Sequence, residues 1–164
     1  MARIFIAIRF NDDVKNTLVN IQNALRTKGV KGNYCPYNNL HLTLAFIGEK
    51  YDLQNIYKAV SEVTFKPFTM TLGELGTFPT KTGVIWCGIK EKEPVTTVAN
   101  KLRERLAAND VGFSAMTFYP HISLVRQPST IVTDIGVPET SITVDRLLVM
   151  KSERIDGELV YSEI

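Results

Sequence analysis

His41-Leu42-Thr43-Leu44 and His121-Ile122-Ser123-Leu124 share one frame: a histidine, an aliphatic residue, a hydroxyl residue and a second aliphatic. They hold the only two histidines of the 164-residue chain, so chance is a poor explanation for the match. Successive side chains of a β-strand point to opposite faces, which puts His41 and Thr43 on one face and Leu42, Leu44 and Phe46 on the other. Each frame thus predicts a strand whose aliphatic face is held by the core, leaving an imidazole and a hydroxyl side by side on the free face.

The flanking sequence extends the match. Arg3-Ile4-Phe5-Ile6-Ala7-Ile8 is rich in β-formers and precedes Asn11-Asp12-Asp13, a helix N-cap cluster. Val14, Leu18, Ile21 and Leu25 then form the apolar stripe of a helix that should stop near Gly29. A turn-rich stretch, 31–39, leads into the first histidine strand. In the second half, Val84 to Ile89 reads as a strand, and Glu93-Pro94 opens a helix with proline at its first position. Val95, Val98, Leu102 and Leu106 are its stripe, and Gly112 lies just beyond its end. Phe5 precedes His41 by 36 positions (41 − 5), and Trp86 precedes His121 by 35 (121 − 86).

Two strand–helix–strand units are therefore laid out alike, which points to an internal duplication with approximate twofold symmetry and both histidine strands at a central groove. The rest of the chain offers a helix after Asp52 and strands near Phe68–Leu75, Ile142–Met150 and Glu158–Tyr161. The expected fold is α+β: a bilobal pseudo-twofold duplication, with two small, mainly antiparallel sheets lining a cleft and helices outside. Residues 1–164 are read as a single domain with two pseudo-symmetric lobes.

Composition sets the outer bounds. Hydrophobic residues make up 45% and charged residues 22%, ordinary for a globular protein and far from the disordered regime. No apolar run approaches the roughly 20 residues needed to span a bilayer. The apolar start at Ile4–Ile8 is too short for a signal-peptide core, so a cytoplasmic location and no membrane partner are expected. Cys35 and Cys87 are isolated, which favours buried free thiols over a disulfide or a cysteine zinc site. A net charge of +2 and a pI near 8.5 are compatible with an anionic substrate and too mild for a nucleic-acid coating protein.

Two histidines with ordinary pKa values near 6.5 can hold one neutral and one protonated ring, a base and an acid, near neutral pH. Hydrolysis of a phosphodiester needs that combination, with the base activating the attacking oxygen and the acid protonating the leaving oxygen on the far side of phosphorus. Thr43 and Ser123 are then placed to donate to the non-bridging oxygens. A zinc centre would need three or four ligands, and neither frame supplies a nearby carboxylate or thiolate, so no metal or cofactor is expected. Ser123 lacks the glycine elbow of a serine nucleophile, and no phosphate-cradling or dinucleotide-binding glycine loop is present.

Arg126 follows the second frame and would clamp a phosphoryl oxygen if the strand bulged or ended there, since strict alternation turns it away from His121. Tyr34, Tyr37, Phe78, Phe118 and Tyr119 are candidates either for stacking on an unpaired base or for core packing. Lys101, Arg103 and Arg105 read as a solvated helix face.

The paired histidine frames, with Asn39-Leu40 before the first and Tyr119-Pro120 before the second, resemble those of the 2H phosphoesterase superfamily. Within it, the chain is most similar to the bacterial and archaeal RNA 2′,3′-cyclic phosphodiesterases, also called 2′-5′ RNA ligases. The likeness runs through Arg3–Ala7, Asn39–Glu49, Leu72–Pro79 and the Trp86 strand. It implies metal-independent opening of terminal 2′,3′-cyclic phosphates to 2′-phosphates, on RNA 3′ ends or small cyclic nucleotides, by a monomer.

By motif position, His41 resembles the proton donor to the departing 3′ oxygen and His121 the proton acceptor that activates water. Thr43, Ser123 and Arg126 resemble the phosphate-binding residues. Ser123 stands where Thr is commoner, which keeps the hydroxyl and loses the methyl that steadies its rotamer. Tyr34-Cys35-Pro36-Tyr37 replaces a tryptophan-bearing approach, which leaves base preference open. Two other functions fit the same residues: non-catalytic binding of nucleotides or RNA 3′ ends, and cleavage or formation of 2′-5′ linkages.

Overall fold

The computed structural model describes residues 2–49 and 51–164. Its first unit runs β1 (Arg3–Arg9), α1 (Asp12–Thr27), a two-residue strand β2 (Asn33–Tyr34), a short 3-10 turn (Tyr37–Asn39) and β3 (His41–Gly48). Helix α2 (Leu53–Ser61) and strand β4 (Phe68–Thr77) lead to the second unit, β5 (Val84–Ile89), α3 (Lys92–Ala108) and β6 (His121–Arg126). The chain finishes with β7 (Ser141–Val144), β8 (Leu148–Ile155) and β9 (Glu158–Glu163).

The strands form two sheets, ordered β3-β1-β8-β9 and β2-β6-β5-β4-β7, and every pairing is antiparallel. This is the expected α+β architecture. The stretch read from sequence as one strand over Ile142–Met150 is instead two, β7 on β4 and β8 on β1, in different sheets. The break at Asp145-Arg146 carries the chain from one sheet to the other.

Local chemistry accounts for the helix ends. The Asn11 side chain accepts the Val14 N–H at 3.0 Å and caps α1, and Asp52 caps α2 by accepting from Gln54 and Asn55. At the far end of α1, Gly29 adopts φ 85°; its N–H reaches Arg26 O and that of Val30 reaches Leu25 O, which closes the last carbonyls. Helix α3 ends the same way, on Ala107 O and Leu106 O, but the left-handed residue is Asp110 (φ 60°) rather than Gly112. Proline 94 is the third residue of α3, not the first. It is still tolerated there, because the opening N–H groups of a helix have no partner within it.

Strand β1 is buried on both faces. Ile4, Ile6 and Ile8 join the main core under α1, α2 and α3, while Phe5 and Ala7 pack with Leu148, Met150 and Tyr161 on the opposite face. That second, smaller cluster is the floor on which the first histidine stands.

Both histidine strands contain a β-bulge at the same place. On β3, Ala7 lies opposite Thr43 and Ile6 opposite Ala45, so Leu44 is the extra residue. On β6, Trp86 lies opposite Ser123 and Ile85 opposite Val125, so Leu124 is the extra residue. Ala7 is thus the counterpart of Trp86, and the sequence alignment of Phe5 with Trp86 is two residues out of register. Each bulge makes two successive residues bury, Leu44-Ala45 and Leu124-Val125, after which the alternation is reversed. Phe46, expected on the core face with Leu44, is accordingly 42% exposed.

Candidate active site

Strands β3 and β6 belong to different sheets and lie against each other, and each begins with its histidine. The two rings are held alike. His41 Nδ1 is 2.7 Å from Asn39 O, and His121 Nδ1 is 2.6 Å from Tyr119 O, in both cases the carbonyl two residues earlier. A carbonyl oxygen only accepts, so each Nδ1 carries a proton, and the lone pair of a neutral ring sits on Nε2. The Nε2 of His41 accepts the Thr43 hydroxyl at 2.7 Å.

The sequence gives no hint of how differently the two rings are walled. Phe5 and Tyr161 enclose His41, with centroids 5.0 and 5.2 Å away. Phe78 meets His121 edge-on at 4.9 Å, with Trp86 at 6.2 Å and Tyr119 packed on both Phe78 and Trp86. This desolvation disfavours the charged imidazoles. Burial foremost, then the charges of Arg126, Arg9 and His121, outweigh the Asn39 hydrogen bond and push His41 down to about 4. His121 is lowered too, first by burial and then by Arg126.

The bulge at Leu124 resolves the position of Arg126. It lines, with Ser123, a cavity of about 370 Å³ whose walls include Asn33, Asn39, Arg154 and Tyr161. Ser123 and Arg126 also line an adjoining hollow of about 300 Å³. Ser123 and Arg126 thus share a cavity, while His41, Thr43 and His121 lie outside its lining on the two strands that meet there, with both imidazoles within range of the Arg126 charge.

Other candidates are disposed differently. Tyr34 donates its hydroxyl to Val30 O beneath the Arg26 guanidinium, and Tyr37 donates to Asp12. Both are tied into the fold, although Tyr34 also edges the larger cavity. Phe118 packs against Arg103. Arg103 is not a solvated charge: it is half-buried and donates to Leu44 O and Met116 O. Cys87 is buried and Cys35 partly so, both as free thiols that burial pushes up to about 12 and about 11. Tyr161 and Arg154 were missed because they lie on the distant C-terminal hairpin and carry no local motif; Asn39, whose carbonyl accepts the His41 Nδ1 proton, lies just before the first histidine frame, but a backbone acceptor leaves no mark in the residue pattern.

An α+β fold of two antiparallel sheets, with a histidine and a hydroxyl presented by each on strands that lie together, defines a pseudo-symmetric two-histidine architecture. A sequence model of the 2′-5′ RNA ligase superfamily matches residues 8–156, and the chain belongs to that superfamily. A protein of Archaeoglobus fulgidus named RNA 2′,3′-cyclic phosphodiesterase is 36% identical over 109 residues, which cover 63% of this chain and 61% of that one. A Thermotoga maritima protein of the same name is 29% identical over 163 residues, covering 92% and 86%. The crystal structure of apo Escherichia coli LigT superposes with a TM-score of 0.84 at 26% identity, over 99% of this chain and 94% of that one.

Proposed function

We propose that this chain hydrolyses RNA-terminal 2′,3′-cyclic phosphates to 2′-phosphates by metal-independent acid–base catalysis between His121 and His41. The observation that carries the reading is the matched pair of rings, each with Nδ1 locked onto a backbone carbonyl and Nε2 left for chemistry. Its relatives' names point to the same substrate class.

In this mechanism neutral His121 takes a proton from water through Nε2 as the water oxygen bonds to phosphorus. The bond from phosphorus to the 3′ oxygen breaks on the opposite side, and protonated His41 delivers its Nε2 proton to that oxygen. Thr43, Ser123 and Arg126 hold the non-bridging oxygens, where charge is concentrated. Thr43 exchanges its bond to Nε2 for one to the phosphate.

The depressed pKa values give substrate binding a second role. Without substrate, burial and then the Arg126 charge keep both rings neutral near pH 7. A phosphodiester anion between them offsets the arginine charge and favours the imidazolium, so His41 acquires its proton together with substrate. No three His, Cys, Asp or Glu side chains cluster at ligand spacing among the described residues. One chain supplies both rings, so the active species is proposed to be a monomer. No helix among the described residues is long and apolar enough to cross a membrane, and a cytoplasmic site of action is part of the proposal.

The test is a panel of RNA 3′ ends, small 2′,3′-cyclic nucleotides and 2′-5′-linked oligomers, with products separated as 2′- or 3′-phosphates. Turnover of the cyclic ends to 2′-phosphates supports the reading. Tight binding without turnover would make the protein a binder, and reaction confined to 2′-5′ linkages would reassign its substrate.

A further inference from the structure

A bulge takes its extra residue out of the sheet ladder, so that residue's carbonyl needs a partner from elsewhere. Each bulge carbonyl accepts a side-chain donor from a helix of the other strand–helix–strand unit, Leu124 O in addition to the backbone N–H of Cys35 at 2.9 Å. From α1, the Gln22 amide donates to Leu124 O on β6 at 2.9 Å and also to Cys35 O at 2.9 Å. From α3, Arg103 Nε donates to Leu44 O on β3 at 3.3 Å, while its Nη1 reaches Met116 O at 2.7 Å. Gln22 and Arg103 occupy the same place in their helices, each three residues before the leucine whose carbonyl accepts the closing turn.

Gln22 is 2% exposed and is one of only two buried polar residues among the described ones. An apolar side chain would fill the same space on the α1 stripe without the penalty of burying an amide. What the glutamine adds is two N–H donors, and both are directed at the bulge and the segment beside it. Arg103 is held between Phe113 and Phe118, 5.7 Å from each ring centroid, with Nε fixed toward β3 and Nη1 toward the connection at Met116.

We propose that Gln22 and Arg103 are reciprocal positioning residues: each holds open, from the opposite unit, the bulge that sets the geometry of a histidine motif. Gln22 fixes the reversal at Leu124 that turns Arg126 toward Ser123. Arg103 fixes the reversal at Leu44, immediately after the Thr43 hydroxyl that meets His41. The inference rests on the proposed hydrolase reading only for its catalytic consequence, since the geometry is independent of turnover.

The experiment follows the two imidazoles by NMR titration in the full chain, so it reads even if no substrate is turned over. Arg126 depresses both histidines. Gln22→Met, with Gln22→Leu as a second apolar replacement, should therefore raise both midpoints as Arg126→Ala does, in protein that still unfolds cooperatively. The Gln22→Met/Arg126→Ala pair should go no higher than Arg126→Ala alone. Arg103→Met should move the His41 midpoint and leave His121 in place. Where the enzyme turns over, Gln22→Met should also lower kcat/KM by about tenfold. Unchanged midpoints in a folded Gln22 variant, or shifts that add to those of Arg126→Ala, would overturn the proposal. Absence of turnover in the wild type would instead remove the hydrolase reading and leave the titration to decide this one.

Discussion

Ser123 and Arg126 are three positions apart on one strand and open onto the same cavity. A regular strand would place them on opposite faces. The single extra residue at Leu124 joins them, and it turns an arginine that sequence alternation assigns to the other side into one whose charge bears on both imidazoles.

Arg126 should therefore act on chemistry as well as binding. Its contact strengthens as charge moves onto the phosphoryl oxygens, so Arg126→Ala should lower kcat and raise KM. Arg126→Lys should recover only part of each, because an ammonium lacks the planar fork. Separate kcat and KM values for both variants check this; wild-type values in Arg126→Ala would put the side chain outside the reaction.

How much of this was legible beforehand depends on how local the signal is. The histidine frames, the helix stripes at Val14–Leu25 and Val95–Leu106, and the Asn11 and Asp52 caps are written in a few consecutive residues, and they form as expected. The bulges are tertiary features. Their trace is the pair of adjacent aliphatics in Leu44-Ala45 and Leu124-Val125, which strict alternation misreads by turning Phe46 inward and Arg126 away. Strand β2 is two residues long and exists by pairing with β6, so no periodicity announces it. Arg103 looked solvated because its acceptors, Leu44 O and Met116 O, are backbone atoms that no sequence pattern displays.

Trp86 is the only tryptophan, and its ring lies over Gly76. A Cβ at Gly76 would fall 2.3 Å from the indole Cη2, so Gly76→Ala must displace the ring that flanks His121. Overpacking of this kind costs roughly 1–3 kcal/mol. The variant should unfold at lower urea, shift the intrinsic fluorescence of the native state and lose turnover; wild-type emission and stability would mean that the ring is free to move aside.

The histidines should also couple stability to pH. His41 lies near 4 when folded and near 6.5 when unfolded, so above pH 6.5 it is neutral in both states. As pH falls from 6.5 toward 4 the unfolded chain binds a proton that the folded one does not, and stability is lost across that window. The loss from this residue is at most about 3 kcal/mol. Urea midpoints at pH 7.5 and 4.5 should separate less in His41→Asn than in the wild type, and equal separations would contradict the burial argument.

Catalysis by two imidazoles and three phosphate donors requires no divalent ion. Extensive chelation should leave turnover unchanged, with nothing to restore on adding metal. Reversible loss of activity, recovered by one divalent cation, would contradict the proposed chemistry.

The central claim is that His121 and His41 divide one proton transfer between them, and single-turnover cleavage of an RNA ending in a 2′,3′-cyclic phosphate tests it most directly. His41→Ala and His121→Ala should each slow the step by about two to four orders of magnitude in folded protein. The double variant should be little slower than either, because the two groups act as a unit. Wild-type cleavage by either single variant would contradict the account.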